Sequence, residues 1–248
     1  MARPASIESG GYFATPPHLI PLIAEHLTVG EGSEFNYADP CAGDGAAVIA
    51  LQEALGGSGT LYTCELEARR HAGLVKRLEK QCWRSREAAL HGDAFLVEYS
   101  RGSVSLLFLN PPYDVDPLHG RLEQRFLARF TPALTEGGVL VLIVPHYALE
   151  ASAQLLAREY DNVQCFRFPK EDFAAFKQVV VFASKTETRL GPDQQILARV
   201  QAWAKGIKGV PLLGSRKETH EIRGSYHRSP TWRIGEIDLQ SLVAKARP

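Results

Sequence analysis

The sequence predicts an α/β fold: a seven-stranded, mostly parallel sheet with helices on both faces and a short C-terminal extension. Three observations predict it. Apolar, strand-like runs alternate with amphipathic helical stretches along most of the chain. Two of the runs, 103–110 (SVSLLFLN) and 137–145 (GGVLVLIVP), are almost continuously apolar, as strands covered on both faces must be. The last two runs, 163–169 and 178–185, are joined by a short connection.

The elements follow in order. Residues 1–15 are polar and contain glycine, and read as an arm. Pro16 and Pro17 open a helix through HLIPLIAEHL, where proline is tolerated in the first turn. Leu19, Ile20, Ile23, Ala24 and Leu27 recur there at helical spacing. EFNYADP is the first strand, CAGDG its exit turn, and AAVIALQEAL a helix ending at Gly56-Gly57. TLYTCEL is the second strand, EARRHAGLVKRLEKQ a helix and ALHGDAF a short third strand. SVSLLFLN is the fourth, LEQRFLARFTPAL a helix and GGVLVLIVP the fifth. ALEASAQLLAREY is a helix, and VQCFRFP and QVVVFASK the sixth and seventh strands. QQILARVQAWAKG is helical, but the chain beyond it is turn-rich, basic and aromatic. The expected division is therefore an arm (1–15), one α/β domain (16–190) and an extension (191–248).

Composition narrows the function classes. The 248 residues carry 28 basic and 28 acidic side chains, so no global positive field attracts a polyanion and any such contact must come from local patches. Cys41, Cys64, Cys82 and Cys165 are scattered without a C-x-x-C pair, which supports neither a zinc site nor a disulfide framework. The N-terminus lacks an apolar signal core and no apolar run approaches the ~18 residues of a membrane span, so a soluble cytoplasmic protein is expected.

Five short motifs carry chemistry, and four lie at strand ends, where open parallel sheets bind ligands. In Asp39-Pro40-Cys41-Ala42-Gly43-Asp44-Gly45 the glycines permit a tight turn and close approach to a ligand. The helix that follows points its N-terminus at the same place and favours a carboxylate, while Asp39 accepts from an ammonium. A zwitterionic amino-acid group fits both, although an ordinary strand-to-helix turn has the same look. Glu65, ending the second strand, suits a pair of ribose hydroxyls or a solvated helix cap. Gly92-Asp93-Ala94-Phe95 offers a carboxylate for a base amine and an apolar ring to pack on it, or a plain turn. In Asn110-Pro111-Pro112-Tyr113 the prolines fix the backbone and remove two N–H donors. The Asn110 side-chain oxygen and the Pro111 carbonyl can then accept both hydrogens of an –NH2 group, and Tyr113 offers a face to a planar target. Finally, Gly11-Tyr12-Phe13-Ala14-Thr15-Pro16-Pro17 forms an arm that can fold over a ligand, with Thr15 also a helix N-cap candidate.

In this order the motifs resemble those of the amino-group (N6-adenine type) DNA methyltransferases, and the leading arm resembles the motif order of the gamma subgroup. The resemblance covers about residues 10–184. It implies the Rossmann-like class I methyltransferase fold, whose seven-strand layout the sequence matches, and S-adenosyl-L-methionine (SAM) as cofactor. It implies SAM contacts from Asp39, Cys41, Gly43, Glu65, Asp93, Ala94, Phe95 and Asn110, with Thr15 and either Tyr12 or Phe13 of the arm. Asn110, Pro111, Pro112 and Tyr113 would hold the acceptor amine and its base. A late aromatic stacks the extruded base in such enzymes. Phe173 or Phe176 fits that role, and both fit the core equally well.

The departure from the family lies after the seventh strand, where a large target-recognition region is usual. Here Lys205, Lys208, Arg216, Lys217, Arg223, Arg228 and Arg233 interleave with Trp203, Tyr226 and Trp232. Such a mixture suits phosphate contacts and base stacking, or equally a basic tail packing its Trp residues on the main domain. Three readings stay open: a nucleic-acid adenine-N6 methyltransferase, with DNA favoured over RNA and specificity short or supplied by a partner protein; a methyltransferase for guanine N2 in RNA or for a protein glutamine amide; and a non-catalytic nucleic-acid-binding subunit. The motif residues are intact, which argues against the last.

Overall fold

The computed structural model describes residues 13–30, 35–56, 59–80, 89–215, 219–224 and 229–235, with only the backbone at 174–176. Its central sheet comprises β1 (Asn36–Asp39), β2 (Thr60–Glu65), β3 (Ala89–His91), β4 (Val104–Leu109), β5 (Leu134–Pro145), β6 (Tyr160–Arg167) and β7 (Gln178–Lys185). The order across the sheet is β6-β7-β5-β4-β1-β2-β3. All neighbouring pairs are parallel except those of β7, which runs antiparallel to β5 and β6. The order reverses beside β1, between β4 and β2, so a crevice opens beyond the carboxyl ends of β1 and β4.

Successive strand residues point to opposite faces, and both faces are apolar. Leu107, Leu109, Leu140, Leu142, Val179 and Val181 belong to the core on one side. Leu106, Phe108, Val141, Ile143, Val180 and Phe182 belong to the core on the other. This two-sided burial accounts for the continuous apolar runs in β4, β5 and β7. The first side packs against α4 (Leu122–Phe130), α5 (Leu149–Glu159) and α7 (Gln194–Lys205). The second packs against α1 (Ile20–Ala24), α2 (Ala46–Ala54) and α3 (Ala68–Lys80). A short α6 (Lys170–Phe176) fills the connection between β6 and β7, where the sequence showed no helical period.

The first helix is shorter than its spacing suggests: a 3₁₀ turn at Pro17–Leu19 leads into the five residues of α1. Leu27–Val29 is instead extended and pairs in parallel with His220–Ile222. Non-local pairing overrides the helical period there. ALHGDAF is likewise split. β3 ends at His91, and Asp93 caps a 3₁₀ turn at Ala94–Leu96 by accepting from the Phe95 N–H.

The described residues beyond 190 pack against the sheet and its helices. Asp193 caps α7, accepting from the N–H groups of Gln195 and Ile196, and Ile196, Val200 and Ala204 are buried. Trp232 pairs with Tyr99 in a two-stranded ribbon, Trp232–Ile234 against Val97–Tyr99. Its indole N–H donates to the Thr63 carbonyl at 3.0 Å and its ring packs among Tyr62, Tyr99 and Phe130. Trp203 also lies against the core. These two rings are therefore committed to packing. Tyr226, Arg216, Lys217 and Arg228 lie outside the described residues. No described helix is long and apolar enough to cross a membrane.

Candidate active site at the strand ends

The turn after β1 is built by two left-handed glycines, Gly43 (φ 58°) and Gly45 (φ 78°). A side chain at Gly45 would collide with Leu74 of α3 at 2.5 Å, so the turn is kept tight by packing as well as by φ. Asp39 is 3 % exposed and accepts from the Cys41 N–H at 3.0 Å. Burial pushes its carboxyl up to about 7; the Cys41 N–H opposes this and the Glu65 charge adds to it. Burial likewise holds the Cys41 thiol well above its usual range.

Glu65 braces the turn from the end of β2. Its Oε2 accepts from the Gly43 N–H at 2.9 Å, and its Oε1 from the Glu67 N–H and the Arg70 guanidinium. Arg70 had no sequence signal beyond its place in the first turn of α3. A cavity of about 410 Å³ runs from this brace past Asp93, Ala94 and Phe95 to Asn110 and Pro112. Its walls include Leu66, 67 % exposed, and Phe126 and Arg125 of α4. Arg125 lies over the Phe95 ring at 4.6 Å and Phe126 meets that ring edge-on at 4.9 Å. Leu66, Arg125 and Phe126 were missed by sequence reasoning. An exposed Leu next to a strand-end acid was a signal for the first, whereas the other two merge into an apolar helical stripe.

A smaller cavity of about 30 Å³ adjoins it and is lined by Asp39, Cys41, Asn110, Thr15 and the first turn of α2. The two cavities share Cys41 and Asn110. Together they fit SAM: an apolar cleft with carboxylates at its rim for an adenosine, then a buried acid and a helix N-terminus for an ammonium and a carboxylate. Asp39, a buried carboxyl with no cation beside it among the described residues, is the most telling of these features.

Beyond Asn110 the cleft changes character. Asn110 Nδ2 donates to the Phe13 carbonyl at 2.8 Å and to Thr15 Oγ1 at 3.0 Å, tying the arm across the end of β4. The Tyr113 hydroxyl donates to Asn110 Oδ1 at 2.7 Å and accepts from Gln178 Nε2 at 2.6 Å. Burial raises the hydroxyl's pKa, so it stays protonated. The Phe13 ring stacks on Tyr113 with centroids 5.1 Å apart and planes 19° from parallel. One face of Tyr113 is thus covered by the arm. Pro111 is buried and Pro112 lines the larger cavity. Phe173 sits on α6 and its ring contact is with His146, centroids 6.4 Å apart. The Phe176 side chain and Tyr12 lie outside the described residues.

The fold and this cleft define a class I SAM-dependent methyltransferase. Residues 6–220 match the model of the uncharacterised methyltransferase family DUF6094, and the chain belongs to that family. None of the curated proteins matches the chain. Among solved structures, a putative class I SAM-dependent methyltransferase from Listeria monocytogenes superposes with a TM-score of 0.56 at 12 % identity, over 81 % of this chain and 76 % of that one. The EcoKI M protein of a type I restriction enzyme also gives 0.56, at 16 % identity over 74 % of this chain and 46 % of its own. The methyltransferase subunit of a type I restriction-modification system from Streptococcus thermophilus gives 0.56 at 14 % identity, over 78 % and 53 %. The chain therefore spans about half the length of those two subunits, and at these identities the likeness establishes the fold. SAM is the cofactor that this fold and family bind.

Proposed function

We propose that the protein transfers a methyl group from SAM to the exocyclic amine of a nucleobase, with adenine N6 in DNA as the acceptor. The observation that carries this reading is the end of β4: an Asn110 side-chain oxygen next to the carbonyl of a proline, beside two stacked aromatic rings. SAM supplies an electrophilic methyl group. Asn110 Oδ1 and the Pro111 carbonyl accept the two amine hydrogens and so aim the nitrogen lone pair into the cleft. Alignment and proximity carry most of the rate, and the same oxygens offset the positive charge that grows on nitrogen. No strong base is required.

The ring pair favours a planar acceptor over a protein glutamine side chain. A base between Phe13 and Tyr113 needs the rings to part to about 7 Å, two van der Waals spacings of ~3.5 Å. The arm must therefore swing outward and then close on the base. A base in duplex DNA must also leave its stack, at a cost of a few kcal/mol. Lys177 and Lys205, both exposed, flank His146, and Lys177 directly precedes Gln178, which bonds Tyr113: the His146 N–H donates to the Lys177 carbonyl, and its ring nitrogen is 3.1 Å from the Ala204 carbonyl. Such cations suit phosphate contacts. A partner protein supplies part of the target specificity in this reading, and the protein works in the cytoplasm.

The test is to incubate the protein with methyl-labelled SAM and, separately, DNA, RNA and cell protein, then digest and identify the modified unit. N6-methyladenine in DNA is expected. Label confined to RNA guanine or protein glutamine would overturn the acceptor, and no SAM binding by calorimetry would overturn the enzyme.

A further inference from the structure

We propose that Gln178 is a positioning residue for methyl transfer: it fixes the direction of the hydrogen bond from Tyr113 to Asn110 and so, together with the Phe13 carbonyl on the other side, holds the orientation of the Asn110 amide. This rests on the reading that Asn110 Oδ1 receives the acceptor amine.

Gln178 is a polar residue opening a strand whose next five residues are buried and apolar. It is 2 % exposed, and an amide so placed is costly unless bonded. Its Nε2 reaches Tyr113 Oη, which reaches Asn110 Oδ1, while Asn110 Nδ2 reaches Phe13 O and Thr15 Oγ1. The donor at each link is dictated by chemistry. The Phe13 carbonyl only accepts, so the Asn110 –NH2 must face the arm and Oδ1 must face Tyr113. Oδ1 only accepts, so Tyr113 gives it the single hydroxyl proton. A hydroxyl that has given its proton can only accept from the other side, so Gln178 must present N–H. Both amide hydrogens of Asn110 are spent on the arm, and Oδ1 keeps a lone pair for the acceptor amine. An Asn110 turned by half a revolution would present N–H to that amine and repel it.

The Ile143 carbonyl, 3.5 Å from Tyr113 Oη, is the competing acceptor. Without an N–H from residue 178, the tyrosine proton is no longer confined to Asn110. Gln178→Glu is the sharpest variant, because it keeps size and polarity but reverses the bond: an ionised Glu draws the tyrosine proton to itself. Gln178→Leu removes the bond altogether.

Single-turnover transfer rates and SAM affinity are measured for wild type, Q178E, Q178L, Y113F and Y113F/Q178L on the acceptor that wild type labels, with thermal unfolding as the folding control. Q178E is expected to lose about 30-fold or more in rate at pH 8, as for a small misplacement of reacting groups, with SAM affinity within about twofold. Its rate should recover as pH falls and the carboxyl becomes a donor. Q178L should lose about tenfold alone and nothing further in the Y113F background, because both act through one link. Equal rates for Q178E and wild type at pH 8, or additive losses in the double variant, would overturn the proposal. Hydrogen exchange of the Asn110 side-chain amide, read by NMR without any acceptor, separates this failure from a wrong acceptor class. Protection should fall in Q178E, and unchanged protection would also overturn the relay.

Discussion

The two halves of the cleft are built in different ways. On the cofactor side each acid is held by backbone close to it in sequence. Asp39 binds the N–H two residues on, as do Asp44 and Asp93; Glu65 reaches the Gly43 N–H 22 residues away and Asp44 also pairs with Arg77 across 33. On the acceptor side the bonds join distant parts of the chain: Asn110 to Phe13 across 97 residues and Tyr113 to Gln178 across 65. Locally closed turns cost little extra chain entropy, whereas contacts of long separation exist only after the whole sheet has formed. The turns of the cofactor half are therefore closed largely by local bonds. The acceptor half depends on an arm held at Asn110 by two hydrogen bonds and at Tyr113 by one ring contact, which makes it the half suited to opening and closing.

If this contrast holds, variants on the two sides should affect different quantities. The largest effect is expected from Asn110→Ala. On the proposed function it removes a hydrogen-bond acceptor needed mainly in the transition state, and it should lower the transfer rate about 10³-fold while SAM affinity changes only a few-fold. Parallel loss of both, by calorimetry and single-turnover kinetics, would mean that the halves are not separable. Glu65→Ala should do the reverse. Losing the brace on Gly43 and the Arg70 pair should weaken SAM binding about 100-fold, the scale of a charged hydrogen bond, with little change in rate at saturation.

The next effect is on pH. Burial raises Asp39 to about 7, and a bound ammonium favours its ionised form, so SAM binding releases a proton below that pH. Affinity should fall about tenfold from pH 8 to pH 6 and become flat over that range in Asp39→Asn, as isothermal titration at several pH values would reveal. The smallest effect is at the arm. Phe13→Ala should raise the acceptor KM about fivefold, the value of one ring contact near 1 kcal/mol, and leave SAM affinity alone. A lower KM would instead identify Phe13 as a plug that the base must displace.

The same contrast explains what was legible beforehand. Strand ends carrying Asp39, Glu65, Asp93 and Asn110 were readable because a buried parallel strand has a distinctive apolar run and its exit turn follows directly. Leu27, which opens the Leu27–Val29 strand, was assigned to the preceding helix because Ile20, Ile23, Ala24 and Leu27 keep a helical period, and the strand's extended partner lies almost 200 residues on. Arg125 and Phe126 were hidden because a helical stripe marks burial but does not distinguish a cavity wall from a core. Trp232 had no pattern to reveal that its indole caps the Thr63 carbonyl.

By itself the sequence determined the sheet, the glycine turn after β1 and the acids at the strand ends, because periodicity, apolar continuity and turn chemistry are local and survive being read in order. Only the tertiary structure decided that Phe13 would cover Tyr113, that Gln178 would reach the Tyr113 hydroxyl and that the Trp residues at 203 and 232 would serve packing. Those outcomes depend on which faces meet once strands far apart in the chain lie side by side, and no local rule of side-chain chemistry carries that information.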